Sequence, residues 1–337
     1  MTSPMPVRGS ASVPLTAGPA WSARPSDRVL LPADVLPDQD AMSVTSAPES
    51  MALPALAAAS PERPARPAAR RVSGQTLERL KAALSERDQA ILADLHRFSF
   101  LTTAQLHVLH FSGHTSDSGA ARICRRVLAR LRAHRLIEPL QRRIGGVRAG
   151  SASFVWRLGP VGDRLLAAAT AEHDRPRLRR KEPSLRHLEH CLAVADCALR
   201  LITAARQGRL ELLRLETEPA CWRPYLGAGG SAEILKPDLS AVTATGDFED
   251  HWFIEVDRGT ESLPTLLKKC VQYERYRRTG RAQAEAGVFP LVVFVLPDHA
   301  RQQRLAAALR SARGLDAGLY RLIMAESFAD LVARGAA

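Results

Sequence analysis

Residues 121–158, ARICRRVLARLRAHRLIEPLQRRIGGVRAGSASFVWRL, combine one arginine-rich helical pattern with two short strand patterns. Apolar residues recur at helical spacing from Ile123 to Leu131, and arginines crowd the remaining positions of that helix. Strands are predicted at 137–140 and 154–158, and the segment that joins them is basic and rich in glycine. A basic helix followed by a glycine-rich hairpin decides the expected fold of the front half of the chain.

Two further helices are predicted just before this stretch. Ser85 is expected to cap the first, which carries an apolar stripe up to Phe98, and Thr102 or Thr103 is expected to cap the second. The full order is then helix, short helix, loop, basic helix, strand, hairpin and strand, which is typical of a winged helix-turn-helix domain. The sequence predicts such a domain over residues 74–170.

The basic helix and the hairpin predict binding to double-stranded DNA. An arginine-rich helix fits the major groove, where arginine pairs with guanine edges or phosphates, and glycine lets a hairpin approach the backbone closely. Residues 1–182 hold 27 Lys and Arg against 16 Asp and Glu, a net of +11, whereas residues 183–337 hold 20 against 19, a net of +1. The alternative is an arginine-rich surface that is merely solvated. The candidate DNA contacts are Arg122, Arg125, Arg126, Arg130, Arg142, Arg143 and Arg148.

The rest of the chain divides around this domain. Residues 1–73 are rich in Ala, Pro and Ser and predict a disordered tail, residues 171–183 predict a charged linker, and residues 184–337 predict a second domain. The five cysteines form no C-x-x-C pair, and no apolar run is long enough to span a membrane. We therefore expect a cytoplasmic protein with reduced thiols and no membrane partner.

The second domain alternates helix and strand patterns, which predicts a central sheet flanked by helices and an α/β (α+β) class for the chain. Asp238 begins one predicted strand, and Glu255 and Asp257 lie two apart on the next, so that both point to one face. The turn-like TGDFED segment between the two strands suggests an antiparallel hairpin. If these strands pair, the three acids form a cluster that a hard cation such as Mg²⁺ would neutralise. Alternatively, Asp238 is a turn residue, and the other two acids pair with Arg258 or Lys269.

The helix after these strands carries Lys268 and Lys269, followed by a Q-x-x-x-Y pattern whose two polar residues are four apart and share one face. Together with the P-D and E-x-D runs, this pattern resembles the PD-(D/E)xK nuclease superfamily, in its branch similar to RecB. The resemblance implies a metal-dependent nuclease site, in which Asp257 replaces the motif lysine and Lys269 or Lys268 supplies its charge. The catalytic candidates are Asp238, Glu255, Asp257, Lys269, Gln272 and Tyr276, of which the three acids are the metal ligands.

A narrower resemblance covers about residues 85–300. The predicted winged helix, followed by KPDLSAV and then FIEVDRGTESLPTLLKKCVQYERY, resembles the replication-relaxation family of bacterial mobile elements. The E-x-D-R-G-T-E-S run is the most specific part of the match. The resemblance implies a plasmid or integrative-element protein that acts in replication, its control or DNA transfer, with replication or conjugation proteins as further partners.

Three functions remain open on the sequence. The first is a DNA-binding accessory or regulatory protein, whose second domain adds contacts, homodimerisation or partner docking. The second is a Mg²⁺-dependent endonuclease or nickase, and the third is a transcriptional regulator with a sensing domain. No Walker A motif, relaxase-type histidine triad or G-x-S-x-G elbow is present, which argues against an ATP-driven motor, a rolling-circle relaxase and a serine hydrolase. His187, Glu189 and His190 lie at the start of the long helix after the linker, from which sites of the resembled nuclease superfamily often draw an acid or a histidine. The interpretation that we favour is that these residues are solvated or lie at the edge of the core.

Overall fold

The computed structural model describes residues 73–112, 117–141, 154–169 and 182–336, together with the backbone of residues 12–14. The predicted hairpin with Arg142, Arg143 and Arg148 lies outside the described residues, as do nearly all of the predicted tail and positions 171–181 of the predicted linker. What is described is a mixed α/β structure within one compact unit. Among the described helices, none is both long and apolar enough to cross a membrane.

In chain order the front half contains β1 (Ser12–Pro14), α1 (Gly74–Ala83), α2 (Glu86–Phe98), β2 (Leu101–Thr102), α3 (Thr103–His110), α4 (Asp117–Ala133), β3 (Ile137–Pro139), β4 (Val155–Leu158) and α5 (Pro160–Ala169). Of these, α2, α3, α4, β3 and β4 follow the predicted order, whereas α1 and β2 were not predicted. Strands β2, β4 and β3 form an antiparallel sheet with β4 in the centre, and the helices pack around it.

Two capping boxes fix where α2 and α3 begin. The Ser85 side chain accepts the Asp88 N–H, and the Asp88 carboxylate accepts the Ser85 N–H at 3.0 Å. Thr102 and Gln105 make the same reciprocal pair at the start of α3. Each box satisfies N–H groups that a helix start otherwise leaves unpaired. The predicted cap at Ser85 is confirmed, and of the two threonines considered for α3, Thr102 is the cap.

The second half contains a larger sheet with helices on both sides. The elements are α6 (Leu185–Arg206), β5 (Glu211–Thr217), β6 (Arg223–Leu226), β7 (Ala232–Leu235), β8 (Leu239–Thr245), β9 (Phe248–Val256), α7 (Leu263–Arg278), α8 (Arg281–Ala286), β10 (Leu291–Leu296), α9 (His299–Ser311), β11 (Tyr320–Met324) and α10 (Phe328–Arg334). The strand order is β11-β10-β9-β8-β5, in which β10 runs parallel to β9 and β11, while β8 is antiparallel to β9 and β5. Strand β1 pairs antiparallel with the start of β9, and β6 and β7 form a separate hairpin.

The alternation of side chains along the strands divides the core into two layers. In the fully buried strand β10, Val293 packs in the cluster that contains α6 and α10, whereas Val292 and Phe294 pack in the cluster that contains α7 and α9. Successive strand residues point to opposite faces, so a continuously apolar strand supplies both layers at once. The candidate acids lie at the ends of β8 and β9, beside these two layers.

Helix α6 joins the front and rear halves. The Gln105 side chain, which caps α3 through its oxygen, donates through its nitrogen to the Leu192 carbonyl at 3.0 Å and to Asp196 at 2.7 Å. At the C-terminal end of α6, Arg206 donates to the carbonyls of Val108 and Leu109 in α3 at 2.9 and 2.7 Å. Hydrogen bonds at the middle and at the C-terminal end of α6 therefore hold α3 in a defined position on the rear half.

Candidate functional site

Asp238 and Glu255 face each other across two paired strands. The β8–β9 register places Leu239 opposite Ile254, and the Asp238 N–H donates to the Ile254 carbonyl at 3.1 Å. The Asp238 carboxylate in turn accepts the Val256 N–H at 2.7 Å. The antiparallel pairing predicted from the sequence is confirmed, and it brings two buried carboxylates together, one 6% and the other 3% exposed.

Glu255 is held by two side chains of α7. Lys269 lies with its Nζ atom 2.9 Å from Glu255 Oε2, and the Tyr273 hydroxyl donates to Glu255 Oε1 at 2.6 Å. Burial and the Asp238 carboxylate raise the pKa of Glu255 to about 7, and the ammonium of Lys269 opposes that rise. Although burial acts to lower the pKa of Lys269, the carboxylates of Glu255 and Asp238 raise it above its ordinary value, so the ammonium stays charged.

His190 of α6 contacts the other acid. Its Nε2 atom lies 3.1 Å from Asp238 Oδ1, and its side chain is about one-third exposed, at 34%. The hydrogen bond to Asp238 raises the pKa of His190, although burial opposes this. The sequence placed this histidine in solvent or at the core edge, and no local pattern identified its partner, which lies 48 positions along the chain.

Asp257 is paired with a different cation. Its Oδ2 atom accepts a hydrogen bond from Arg301 Nε of α9 at 2.6 Å, and its Oδ1 atom accepts the Gly259 N–H at 2.8 Å. Both side chains of this ion pair are buried, and Arg301 also donates to the Glu261 carbonyl. The ion pair therefore anchors the loop between β9 and α7 to α9. No sequence pattern indicated this pair, because its two members are distant in the chain.

The predicted Q-x-x-x-Y pair is divided between solvent and core. Gln272 is exposed, whereas Tyr276 is buried against Tyr225, Phe253 and Phe289. Each residue rotates the helix by about 100°, so two residues four apart point in directions that differ by about 40°. At the edge of a buried face, this difference is enough to leave one side chain in solvent and bury the other. Of the α7 residues near this pattern, the structure brings Lys269 and Tyr273 to the acids, and Tyr273 was not among the candidates.

The arrangement of these acids does not match that of a multi-ligand metal centre. Across the described ranges, no group of three or more His, Cys, Asp or Glu side chains is placed to hold a metal ion. Mg²⁺ accepts one or two carboxylates with water ligands, and Asp238 and Glu255 are such a pair. All four of their oxygens, however, already contact protein donors, from His190, Val256, Lys269 and Tyr273. As placed, the residues do not fit a divalent cation.

The arginines of α4 form the other candidate surface. Arg122, Arg125 and Arg126 are exposed and follow one another at helical spacing, while Cys124 and Leu128 are buried on the opposite side. Arg130, another candidate, has a second role, because its guanidinium lies 2.6 and 2.7 Å from the two oxygens of Asp88 in the capping box of α2. The remaining three candidates, in the hairpin, lie outside the described residues.

The free energy of unfolding is expected to decrease as the pH rises from about 4.5 to 7. The folded-state pKa values of Glu255 and His190 are both raised, so their contributions are complete below the unfolded values and are lost as the pH rises through the folded ones. For Glu255 this window runs from its ordinary 4.5 to about 7, and we expect a loss on the order of 2 kcal/mol.

Urea unfolding at a series of pH values measures this effect. Glu255→Gln is the control, because it removes the titrating group and retains an acceptor for Tyr273. The variant should show a flatter pH profile than the wild-type protein, and equal slopes for the two proteins would contradict the assignment.

Comparison with known proteins identifies one family. The family model described as replication-relaxation matches residues 92–292, a range that contains the arginines of α4 and the acids Asp238, Glu255 and Asp257 but not Arg301. Neither the search of curated proteins nor the search of solved structures returned a match.

Proposed function

Since the chain belongs to the replication-relaxation family, we propose that it is a DNA-binding accessory or regulatory protein of a plasmid or integrative element, acting in replication or DNA transfer. The observation that carries the proposal is the exposed face of α4, where Arg122, Arg125 and Arg126 lie in a row. Such a face matches the charge of a phosphate backbone and the width of a major groove.

The order of elements around α4 supports a winged helix for the front half. Helix α2 is followed by the short strand β2, helices α3 and α4, and then β3 and β4, which flank the segment predicted to form a basic hairpin. In this arrangement α3 packs on α6, while α4 presents its arginines to solvent and serves as the recognition helix. Contacts to phosphates position such a helix, and contacts to base edges give it specificity.

The rear half, on this proposal, is a nuclease-like domain that supports binding and does not cleave. Its three acids each contact a basic side chain from a different helix, namely His190, Lys269 and Arg301. Acids that are neutralised in this way stabilise the packing of α6, α7 and α9 around the sheet end. The exposed surfaces of the domain are then available for replication or conjugation proteins, or for a second copy of the chain.

A metal-dependent endonuclease is the second candidate function. The observation that favours it is the position of Lys269, whose ammonium lies beside Glu255. This ammonium would supply the positive charge of the motif lysine, whose position in the sequence is taken by Asp257. A cation bound by Asp238 and Glu255 would supply Lewis-acid chemistry for phosphodiester cleavage. For such a cation to enter, Lys269 would first have to leave Glu255.

Incubation of the purified protein with supercoiled plasmid separates the two candidates. The reactions contain Mg²⁺, Mn²⁺ or EDTA, and an Asp238→Asn/Glu255→Gln variant serves as the matched control because it keeps the side-chain shapes. We expect intact plasmid with retarded migration in every lane. Metal-dependent nicking that is lost in the variant would instead establish the endonuclease, and intact plasmid without retardation would reject DNA binding.

A further inference from the structure

Asp238 and Glu255 present an electrostatic problem at the sheet end. Both carboxylates are more than nine-tenths buried, and they belong to neighbouring residues of two paired strands. Burial disfavours the charged form of each, and each charge disfavours the other. Once both acids are ionised, above the raised pKa of Glu255 at about 7, they need a compensating positive charge close by.

Lys269 supplies that charge from α7. Its Nζ atom lies 2.9 Å from Glu255 Oε2 and 3.4 Å from Glu261 Oε2, and its side chain is 30% exposed. Tyr273, one helical turn later, occupies the other oxygen of Glu255. Both oxygens of the Glu255 carboxylate thus contact side chains of α7, one a charged ammonium and the other a neutral hydroxyl.

We propose that Lys269 is the permanent counter-cation of the Asp238–Glu255 pair and occupies the place that a divalent metal ion would need. The rear half then folds and remains closed without a metal. This inference concerns residues of α6, α7 and the sheet, and it holds whether or not α4 binds DNA.

The chemistry of the donors distinguishes this arrangement from a metal centre. Mg²⁺ requires oxygen ligands at about 2.0–2.1 Å in a nearly octahedral shell that includes several waters. An ammonium and a phenol on the two Glu255 oxygens, with His190 and the Val256 amide on those of Asp238, leave no such shell. Removal of the lysine side chain would leave the negative charge of the acid pair uncompensated and would open space beside Glu255. The same two carboxylates would then become a latent cation site.

Thermal unfolding tests the proposal. The Tm of the full-length wild-type protein and of Lys269→Ala is measured in EDTA and in millimolar Mg²⁺ or Mn²⁺. The wild-type Tm should be the same in all three conditions. In EDTA, Lys269→Ala should lower the Tm by roughly 10 °C, because it leaves a buried acid pair uncompensated. Mg²⁺ or Mn²⁺ should restore at least half of that shift, and the restoration should disappear in Asp238→Asn/Lys269→Ala.

If Lys269→Ala does not fold, the Tm of Glu255→Gln is compared with the Tm of Glu255→Gln/Lys269→Met instead. With the acid neutralised, the added Lys269→Met change should leave the Tm nearly unaltered, since the lysine no longer compensates a second buried charge. Lys268→Ala, an exposed neighbour on the same helix, should behave as wild type throughout. A wild-type protein that binds one Mn²⁺, as measured by calorimetry, and loses it on Asp238→Asn would overturn the proposal. So would a Lys269→Ala variant that keeps the wild-type Tm in EDTA.

Discussion

Replacement of Arg122, Arg125 and Arg126 by alanine is expected to weaken duplex binding on the order of 100-fold at about 0.15 M salt. The three side chains are exposed on one face of α4, and each arginine that neutralises a phosphate releases a condensed counterion. The slope of log K against log salt should therefore fall in magnitude by about 0.9 for each phosphate that is no longer neutralised. Fluorescence anisotropy with a labelled duplex across a salt series measures both the affinity and the slope.

A matched control removes the same charge elsewhere. Arg304, Arg310 and Arg313 are exposed on α9 or just after it, and their triple alanine variant removes the same three positive charges. If α4 is the recognition helix, this control should keep most of the affinity and nearly the full salt slope. Equal decreases in affinity for the two triple variants would reject a localised interface and support attraction by net charge alone.

Arg130 needs separate treatment, although it was predicted alongside the other arginines. Its guanidinium contacts both oxygens of Asp88, so its removal affects the start of α2 as well as any DNA contact. We therefore exclude it from the triple variant. An effect of Arg130→Ala on binding is informative only when the unfolding midpoint of that variant is known.

Local patterns were sufficient to predict most of the elements. The cap at Ser85, the arginine-rich helix α4 and the antiparallel pairing of β8 with β9 all follow from spacing, caps and alternation along a short stretch of chain. The β6–β7 hairpin was not predicted, although its turn contains Gly229 and Gly230, both with positive φ. This hairpin stands outside the main sheet and has no long run of alternating apolar residues.

The partners of the acids could not be predicted in the same way. The sequence favoured Asp238, Glu255 and Asp257 as one cluster, with Lys269 or Arg258 as alternative partners. The structure pairs Glu255 with Lys269, but it pairs Arg258 with Glu189. His190 and Arg301 reach their acids only through the packing of α6 and α9 on the sheet. Spacing within one element constrains which residues share a face, but it contains no information on which helix covers that face.

Arg301→Met is expected to lower the free energy of unfolding by about 3–5 kcal/mol. The side chains of Arg301 and Asp257 are 7% and 1% exposed, so solvent does not screen the charge that the substitution leaves unpaired. The Glu261 carbonyl also loses its donor. Urea unfolding measures the effect, and Arg304→Met, exposed one turn later on α9, should cost about 0.5 kcal/mol or less.

The double variant Asp257→Asn/Arg301→Met separates the cost of an unpaired charge from the removal of the arginine itself. If the unpaired carboxylate dominates, neutralising it should recover more than half of the decrease in stability, because a buried ion pair exchanged for neutral groups is often close to neutral in stability. Divalent cations give a second comparison, since they are expected to stabilise Lys269→Ala but not Arg301→Met. Rescue of both variants would mean that all three acids share one cation site. Rescue of Lys269→Ala alone would assign Asp257 to the anchoring of the β9–α7 loop, and Asp238 and Glu255 to a separate pair closed by Lys269.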